Sequence, residues 1–401
     1  MSELRSPIAK QGAQSASAFV FFILTVIAGS GAANVYYHQP VLGQLLAQFG
    51  PSAATLVATA TLLGYGLGIL LLVPLGDIWP RRTLIVAQQI VLAAALAASA
   101  FAPSLIMLTL VSVIVGTFAT TAQQAIPFSA ELAPPEARGR VVGRTMTGLL
   151  LGVLLSRTAS GAFADVYGWR GVFAAAAAIS LFFAVVAAVF LPRTRPASTL
   201  RYPALIASVF ELARNEPVLR WATLTQGFNF AAFNAFWACL VLHLGNAPFN
   251  LGAGSAGLFG LVGAAGALIA PFAGRLADKS GSRKVVISGV VLVLASFGLL
   301  ATFGSTSLIG IGLGALVLDI GVCSAMVANQ TRIFALRPEA RGRINTVFMT
   351  GAFVSGGLGA MLGTRGFALG GWMVVCALGA IFAMGAVIAA CATPESRTAK
   401  G

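Results

Sequence analysis

The hexapeptide Pro-Glu-Ala-Arg-Gly-Arg occurs twice in this chain of 401 residues, at residues 135–140 and again at residues 338–343. The same offset of 203 residues aligns Gly168-Trp169 with Gly371-Trp372. Identity of six residues, including two arginines, is improbable by chance at positions that match in this way. The chain is therefore predicted to contain two similar halves that arose by internal duplication.

The sequence around these repeats is strongly apolar. Apolar residues make up 58% of the chain and charged residues 9%, whereas a soluble protein carries about 25% charged residues. The apolar runs are continuous and do not alternate with a period of two, which argues against a membrane β-barrel. The composition predicts an all-α polytopic membrane protein.

The spacing of charged residues predicts how many helices cross the membrane. In each half, charges divide the sequence into four apolar stretches; the first two are long enough for two spans and the last two for one span each. This pattern predicts twelve transmembrane helices arranged as two parallel six-helix repeats. We expect an N-terminal bundle at 1–192, a cytoplasmic linker with a short interfacial helix at 193–219, and a C-terminal bundle at 220–401.

Basic residues predict the orientation in the membrane. If the N-terminus is inside, 22 of the 25 Lys and Arg residues lie on the inner side, and only Arg157, Arg170 and Arg365 lie towards the outside. This asymmetry predicts a multi-pass protein of the cell inner membrane with both termini in the cytoplasm. The net charge of +14 then faces anionic lipid, so a nucleic-acid partner is not required to explain it.

Two predicted cytoplasmic loops carry related motifs. Residues 274–284 are Gly-Arg-Leu-Ala-Asp-Lys-Ser-Gly-Ser-Arg-Lys, and residues 73–82 keep the acid and the basic pair but have Val73 and Pro80 at the glycine positions. The chain resembles the major facilitator superfamily in these loops and in its duplicated helices. The resemblance implies a transporter fold that encloses a cavity between two bundles, similar to bacterial drug or metabolite:proton antiporters.

These loop motifs are interpreted as a cytoplasmic latch, in which an acid at a helix end meets a helix N-terminus and basic side chains. The alternative is that the acids only tie the loops down. The latch residues are Asp77, Arg81, Arg82, Gly274, Asp278, Gly281, Arg283 and Lys284.

Other signatures of drug-exporting members are absent. Such members often carry an Arg in the fourth helix, where this chain has Ser112, and a Gly-Pro pair in the fifth helix, where this chain has Ser156-Arg157. The resemblance thus supports a transporter better than a drug exporter.

Two ionisable residues are expected at membrane depth, where a charge is costly and is a functional candidate. Asp319, in the middle of predicted helix 10, is the candidate for proton coupling or for contact with a cationic group; alternatively it pairs structurally with a polar neighbour. Arg157, in predicted helix 5, is a candidate for substrate binding or gating; alternatively it snorkels outward or pairs with Asp165. The sequence does not show whether Asp319 and Arg157 meet.

Polar and aromatic residues in predicted helices 1 and 7 are candidates to line the cavity, although aromatic anchoring at the membrane interface explains the tyrosines equally well. They are Asn34, Tyr37, Gln226, Asn229, Asn234 and Trp237. The two histidines, His38 and His243, lie near predicted outer helix ends, and a solvent-facing position is favoured over a role in pH sensing.

The predicted function is secondary active transport of a small organic solute, with proton-coupled efflux favoured over proton-coupled uptake. A non-transporting receptor or scaffold with a transporter fold is the alternative from another class. An enzyme is disfavoured because a single intramembrane acid lacks a His or Cys cluster beside it. No cofactor or metal site is expected, and the expected partners of the monomer are the substrate, protons and the lipid bilayer.

Overall fold

The computed structural model describes residues 17–194, 201–267, 269–337 and 340–394, without the side chains of residues 264–267, 270, 271 and 278. The described residues form helices and connecting turns, with no strand among them. The N-terminal half contains α1 (Ala18–Ala33), α2 (His38–Phe49), α3 (Ser52–Leu72), α4 (Arg81–Ala100), α5 (Leu105–Phe118), α6 (Thr121–Leu132) and α7 (Arg138–Phe190). After α8 (Tyr202–Asn215), the C-terminal half contains α9 (Pro217–Leu244), α10 (Ala253–Ala267), α11 (Ala270–Ser280), α12 (Ser282–Thr302), α13 (Leu308–Phe334) and α14 (Arg341–Ala392).

The helix lengths fit the predicted twelve spans. Within the described ranges, nine helical segments are long and apolar enough to cross a membrane. Two of them, α7 with 53 residues and α14 with 52 residues, are each about 80 Å long at 1.5 Å per residue, so each supplies two crossings of a hydrocarbon core about 30 Å thick. The shorter pair α10 and α11 supplies the remaining crossing. The prediction of an all-α polytopic fold is confirmed.

Both long helices break at repeat-related glycines. Gly168 has φ 68° and Gly371 has φ 67°, in the left-handed region that residues with a side chain rarely adopt. These are the glycines that the sequence repeat aligned. The duplication therefore fixes the same turn between the last two spans of each half.

Repeat-related serines begin the fourth span of each half. The Ser104 hydroxyl accepts a hydrogen bond from the Met107 amide, and the Ser307 hydroxyl accepts one from the Gly310 amide, at 3.3 Å in both cases. Each serine satisfies an amide that the first helical turn leaves without a partner. The two serines are 203 residues apart, so the helix start is repeated along with the turn.

The helix bundle has two opposite sides, the linker side and the far side. The linker side is the one on which α8 lies and on which α7 and α14 begin. The far side is the opposite one, on which α7 breaks at Gly168 and α14 breaks at Gly370 and Gly371.

Glycines allow the helices of each half to touch along their backbones. A β-carbon at Gly152 of α7 would lie 2.1 Å from the Gly29 carbonyl oxygen of α1, and one at Gly359 of α14 would lie 2.2 Å from the Ala231 carbonyl oxygen of α9. Because lipid is as apolar as the helix surfaces, close packing of this kind is a main source of attraction between helices in a membrane. It holds α1 against α7 and α9 against α14, and so positions the helices that carry the site.

Replacing Gly116 by Ala should destabilise the protein. A β-carbon at Gly116 in α5 would lie 2.0 Å from the Thr61 carbonyl oxygen of α3, so the two backbones must separate. Overpacking of this kind costs about 1–3 kcal/mol. We expect a thermal midpoint several degrees lower for the Gly116→Ala protein purified in detergent.

Gly298→Ala is the matched control, because Gly298 also lies inside a helix but no atom lies within 4 Å of its added β-carbon. Its midpoint should stay at or slightly above that of the unmodified protein. Equal midpoints for the two variants would contradict the packing account.

Candidate functional site

A cavity with an internal volume of about 170 Å³ lies between the two halves of the molecule. Each half contributes ten lining residues, most of them apolar or aromatic. Those of the N-terminal half are Ala32, Val35, Tyr36, Tyr65, Gln123, Leu149, Leu150, Val153, Leu154 and Arg157. Those of the C-terminal half are Phe230, Phe233, Gly260, Gly263, Asp319, Val322, Cys323, Met326, Met349 and Phe353.

Arg157 is buried at the wall of this cavity, with 5% of its surface exposed. Its guanidinium carbon lies 4.1 Å from the centre of the Trp237 ring and 4.7 Å from that of Tyr36, so aromatic faces from both halves contact the cation. Its Nε donates to Gln39 Oε1 at 2.8 Å, and its Nη2 has no hydrogen-bond partner among the described residues. The side chain therefore neither snorkels outward nor pairs with Asp165, and it keeps unused hydrogen-bonding capacity.

Asp319 lies on α13, at the wall formed by the C-terminal half, and is 6% exposed. Its Oδ2 is buried and has no hydrogen-bond partner in the described part of the chain. A β-carbon at Gly263 of α10 would lie 3.0 Å from this oxygen. Helix α10 thus makes room for the carboxyl group without donating a hydrogen bond to it.

The two charged residues share the cavity without forming a salt bridge. The salt bridges among the described residues, drawn at 4.0 Å or less, do not include Arg157 or Asp319. An unpaired buried charge costs several kcal/mol, even after the protein relaxes around it. The cavity therefore presents one cation and one carboxyl group that a bound molecule or a proton can satisfy.

The far side of the cavity is closed by contacts between the halves. The Thr158 hydroxyl donates to the Gly257 carbonyl at 2.9 Å, and the Gly254 amide donates to Asp165 Oδ2 at 3.0 Å. Asp165 lies beside the first turn of α10, where a carboxylate is stabilised by the positive end of the helix dipole. These contacts between α7 and α10 separate the cavity from the far side.

A second contact closes the far side between α3 and α14. The hydroxyl groups of Thr55 and Thr364 are 2.7 Å apart and share a hydrogen bond. Deeper along the same helices, the rings of Tyr65 and Phe353 pack with centroids 4.4 Å apart. These two residues line the cavity, so the helix pair that closes the far side also forms part of the wall.

The other predicted cavity residues lie outside the lining. Asn234 donates to the Phe230 carbonyl at 2.9 Å and packs against Gly356 of α14, while Asn34 donates to the Ser30 carbonyl at 2.7 Å. Gln226 and Asn229 are fully buried in α9, and Tyr37 is half-buried in the turn between α1 and α2. Trp237 reaches the site through its ring, which covers Arg157.

Neither Gln39 nor Tyr36 is among the residues that the sequence predicts to line the cavity. Both contact the Arg157 guanidinium. The signal that could have found them is the buried arginine itself, because such a group needs an acceptor and aromatic faces nearby. The sequence does not show which residues meet Arg157, because this depends on the packing of α1, α2 and the turn between them against α7.

The first predicted latch motif forms a hub around Arg81. Arg81 lies 3.6 Å from Asp77 Oδ1 and 3.3 Å from Glu131 Oε2, and it donates to Gln124 Oε1 at 3.2 Å. A β-carbon at Gly76 would lie 2.3 Å from that Gln124 oxygen, so Gly76 provides the close approach in a motif that lacks its usual glycines. These contacts stay within the N-terminal half.

The two motifs share one contact, in which an arginine donates to a backbone carbonyl near the end of the last span of its half. Arg82 donates to the Ala188 carbonyl in the first half, and Arg283 donates to the Cys391 carbonyl at 2.8 Å in the second. Gly281 has φ 89°, which explains the glycine at that position, and Lys284 is exposed. A β-carbon added at Gly274 would be in ordinary van der Waals contact with Val327, at 3.7 Å, while the side chain of Asp278 lies outside the described part of the structure.

The expectation of solvent-facing histidines is wrong. His38 is 2% exposed and His243 is 6% exposed. The His243 ring stacks on Trp372 with centroids 4.1 Å apart, and its Nε2 lies 3.0 Å from the Gly304 carbonyl oxygen. His243 lies near a helix end, as predicted, but packing against Trp372 covers its ring.

Comparison with known proteins supports this architecture. The family model of the Major Facilitator Superfamily matches residues 15–326 and 221–401. The uncharacterized transporter YgaY of Escherichia coli O157:H7 is 39% identical over 364 residues, which cover 90% of this chain and 92% of YgaY. The Streptomyces coelicolor protein named "Probable transporter SCO4007" is 30% identical over 377 residues, which cover 93% of this chain and 87% of that protein.

A solved structure has the same fold. A bacterial homolog of the human lysosomal transporter Spinster, in its inward-facing and unoccupied conformation, aligns with a TM-score of 0.71 at 17% identity, covering 93% of this chain and 94% of the homolog. The duplicated halves, the cavity between them and these similarities lead to one conclusion. The chain belongs to the Major Facilitator Superfamily of membrane transporters.

Proposed function

We propose that this protein is a secondary active transporter that moves a small organic solute out of the cell in exchange for protons, by alternating access. The observation that carries this proposal is the cavity between the halves, in which Arg157 and Asp319 are both unpaired. Its internal volume of about 170 Å³ can hold a small organic molecule, because an engineered protein cavity of about 150 Å³ binds benzene.

Alternating access requires contacts that can break without unfolding either half. The hydrogen bonds that cross the far side are single ones, at Thr158, Asp165 and Thr55. The halves also pack closely there, at Gly161 and Gly257. Each half is held internally by close backbone packing at glycines. We infer that the halves rock as units, with the far side closing while the linker side opens.

The basic residues favour a cytoplasmic linker side. The 22 basic residues on the predicted inner side follow the positive-inside rule, which supports cytoplasmic termini in a cell with an inner membrane. In this orientation the structure closes the cavity towards the outside. We propose that the Arg81 hub and its counterpart around Arg283 act as the cytoplasmic latch, whose contacts change when that side closes.

Proton exchange follows from the position of Asp319. A carboxyl group that lacks protein partners in a low-dielectric wall can bind a proton in one state and an ionic group of the solute in another. Efflux is favoured over uptake because a single carboxyl group that holds either a proton or the ionic group of the solute would exchange one for the other. Uptake would need the proton and the solute to occupy the cavity together.

A flux experiment distinguishes these directions. Inside-out vesicles with an acidic interior are screened against radiolabelled small organic solutes. Proton-driven accumulation supports efflux, whereas accumulation only in right-side-out vesicles with an acidic exterior indicates uptake. If neither orientation accumulates any solute, the chain is a receptor or scaffold with this fold.

Asp319→Asn should abolish proton-coupled flux while the protein still folds and inserts. The amide keeps the shape of the carboxyl group but cannot exchange a proton. The measurement is the rate of proton movement that solute addition drives in proteoliposomes, with monodisperse elution in detergent as the test of folding. Asp319→Glu should retain part of the coupling, and Arg140→Ala, an exposed position on the linker side, should retain all of it. Wild-type coupling in Asp319→Asn would remove this residue from the mechanism.

Asp165→Ala should open the far side more often. The substitution removes the hydrogen bond from the Gly254 amide and the charge–dipole contact, which together contribute about 0.3–1 kcal/mol at an exposed site. Cys323 lines the cavity and reports the opening, once Cys239, Cys376 and Cys391 are replaced by Ala. A membrane-impermeant maleimide added on the far side should label Cys323 about two to five times faster in the variant.

Glu136→Ala, at an exposed position on the linker side, is the control for this experiment and should label at the starting rate. Unchanged labelling in Asp165→Ala would show that this carboxylate does not hold the far side closed.

A further inference from the structure

We infer that the solute is a zwitterion with an apolar side chain, of the class of α-amino acids with an aromatic or aliphatic side chain. This inference rests on the proposed transport function and names the substrate class of the same cavity. It assigns the solute's carboxylate to Arg157 and its ammonium group to Asp319.

The two charged residues stand against one face of α10. A β-carbon at Gly260 would lie 3.0 Å from the Arg157 β-carbon, and one at Gly263 would lie 3.0 Å from Asp319 Oδ2. A β-carbon at Gly263 would also lie 2.9 Å from Trp237 Cζ2, and the Trp237 ring covers the Arg157 guanidinium group. The guanidinium group and the Asp319 carboxyl group therefore both lie beside the Trp237 ring, where one small molecule can contact both.

The arrangement around Arg157 leaves it prepared for an anion. Its Nε is used by Gln39, and its guanidinium plane is contacted by Trp237 and Tyr36. The group is thus held in place while Nη2 remains without a hydrogen-bond partner in the described structure. A carboxylate is the natural acceptor for a positioned guanidinium group.

Charge balance disfavours singly charged solutes when Asp319 is ionised. The site contains one cation and one carboxyl group, so in that state it is neutral before the solute binds. A monoanion would satisfy Arg157 and leave Asp319 buried without a partner, and a monocation would do the reverse. Because an unpaired buried charge is costly, a solute that carries both charges gains more than either.

The rest of the wall specifies the side chain. Tyr65, Phe230 and Phe353 supply aromatic surfaces, and Met326 and Met349 supply flexible apolar ones. A strongly polar side chain would find few partners on these surfaces. The aromatic and methionine lining therefore favours aromatic and larger aliphatic side chains.

The test compares molecules that share one skeleton and differ only in charge. Calorimetric titration of the purified full-length protein uses L-phenylalanine, 2-phenylethylamine, which lacks the carboxylate, and 3-phenylpropionate, which lacks the ammonium group. L-Leucine is titrated as an aliphatic member of the class. We expect L-phenylalanine or L-leucine to bind, and L-phenylalanine to bind about tenfold or more tightly than either singly charged analogue.

Variants test the assignment of each group. Arg157→Gln should weaken L-phenylalanine binding about tenfold or more while leaving binding of 2-phenylethylamine almost unchanged. Asp319→Asn should also weaken L-phenylalanine binding, while leaving binding of 3-phenylpropionate almost unchanged. The double variant, Arg157→Gln with Asp319→Asn, leaves no unpaired charge, so it keeps the test valid if a single variant fails to fold. It should bind L-phenylalanine no more tightly than the singly charged analogues. The exposed Arg140→Ala protein should bind like the unmodified chain.

Two results would overturn the inference: a singly charged analogue that binds as tightly as L-phenylalanine, or no binding of either amino acid. The vesicle screen separates this failure from a failure of the proposed function. Proton-driven flux of other solutes would support the proposed transport function and contradict only the zwitterionic substrate class. The absence of flux for every solute would contradict both proposals.

Discussion

A buried cation and a buried carboxyl group, one from each half, line the same cavity and place the strongest constraint on this molecule. Arg157 comes from the N-terminal half and Asp319 from the C-terminal half, and neither forms a salt bridge in the described structure. Burial of unpaired charge opposes folding, so close packing elsewhere must compensate for it. The two residues therefore lower the free energy of unfolding at a site whose charges are available to a bound solute.

The compensation comes from glycine. Helices approach one another along their backbones at Gly29 and Gly152 in the first half and at Ala231 and Gly359 in the second. This packing makes each half a stable unit, and the far-side contacts between the halves add single hydrogen bonds to close packing at Gly161 and Gly257. The same residue type serves a second purpose on α10, where Gly260 and Gly263 leave space for the two charged side chains. Close packing within and between the halves thus depends on the placement of one small residue.

The sequence allowed the fold to be predicted because a duplicated chain in a membrane leaves few alternatives. The repeat at Gly168 and Gly371 became the same positive-φ turn, and the spacing of charges fitted twelve spans. The site was predicted only in part. Asp319 and Arg157 were found because a charge in an apolar run is conspicuous, but the amides of α9 were placed in the cavity by helical depth alone. Which face of a helix turns inward depends on packing between helices, as with Asn234 against Gly356, and no local pattern encodes it.

The rocking of two rigid halves is the central claim, and paired distances between repeat-related positions test it most directly. Spin labels at Val166 and Leu369, both exposed at the far side, report the far-side opening. Labels at Gly139 and Gly342, where an added β-carbon meets no atom within 4 Å, report the linker side. Double electron–electron resonance in lipid nanodiscs should show the far-side distance lengthening and the linker-side distance shortening together on acidification, with neither change in Asp319→Asn. Distances that stay fixed, or that lengthen on both sides at once, would contradict the account.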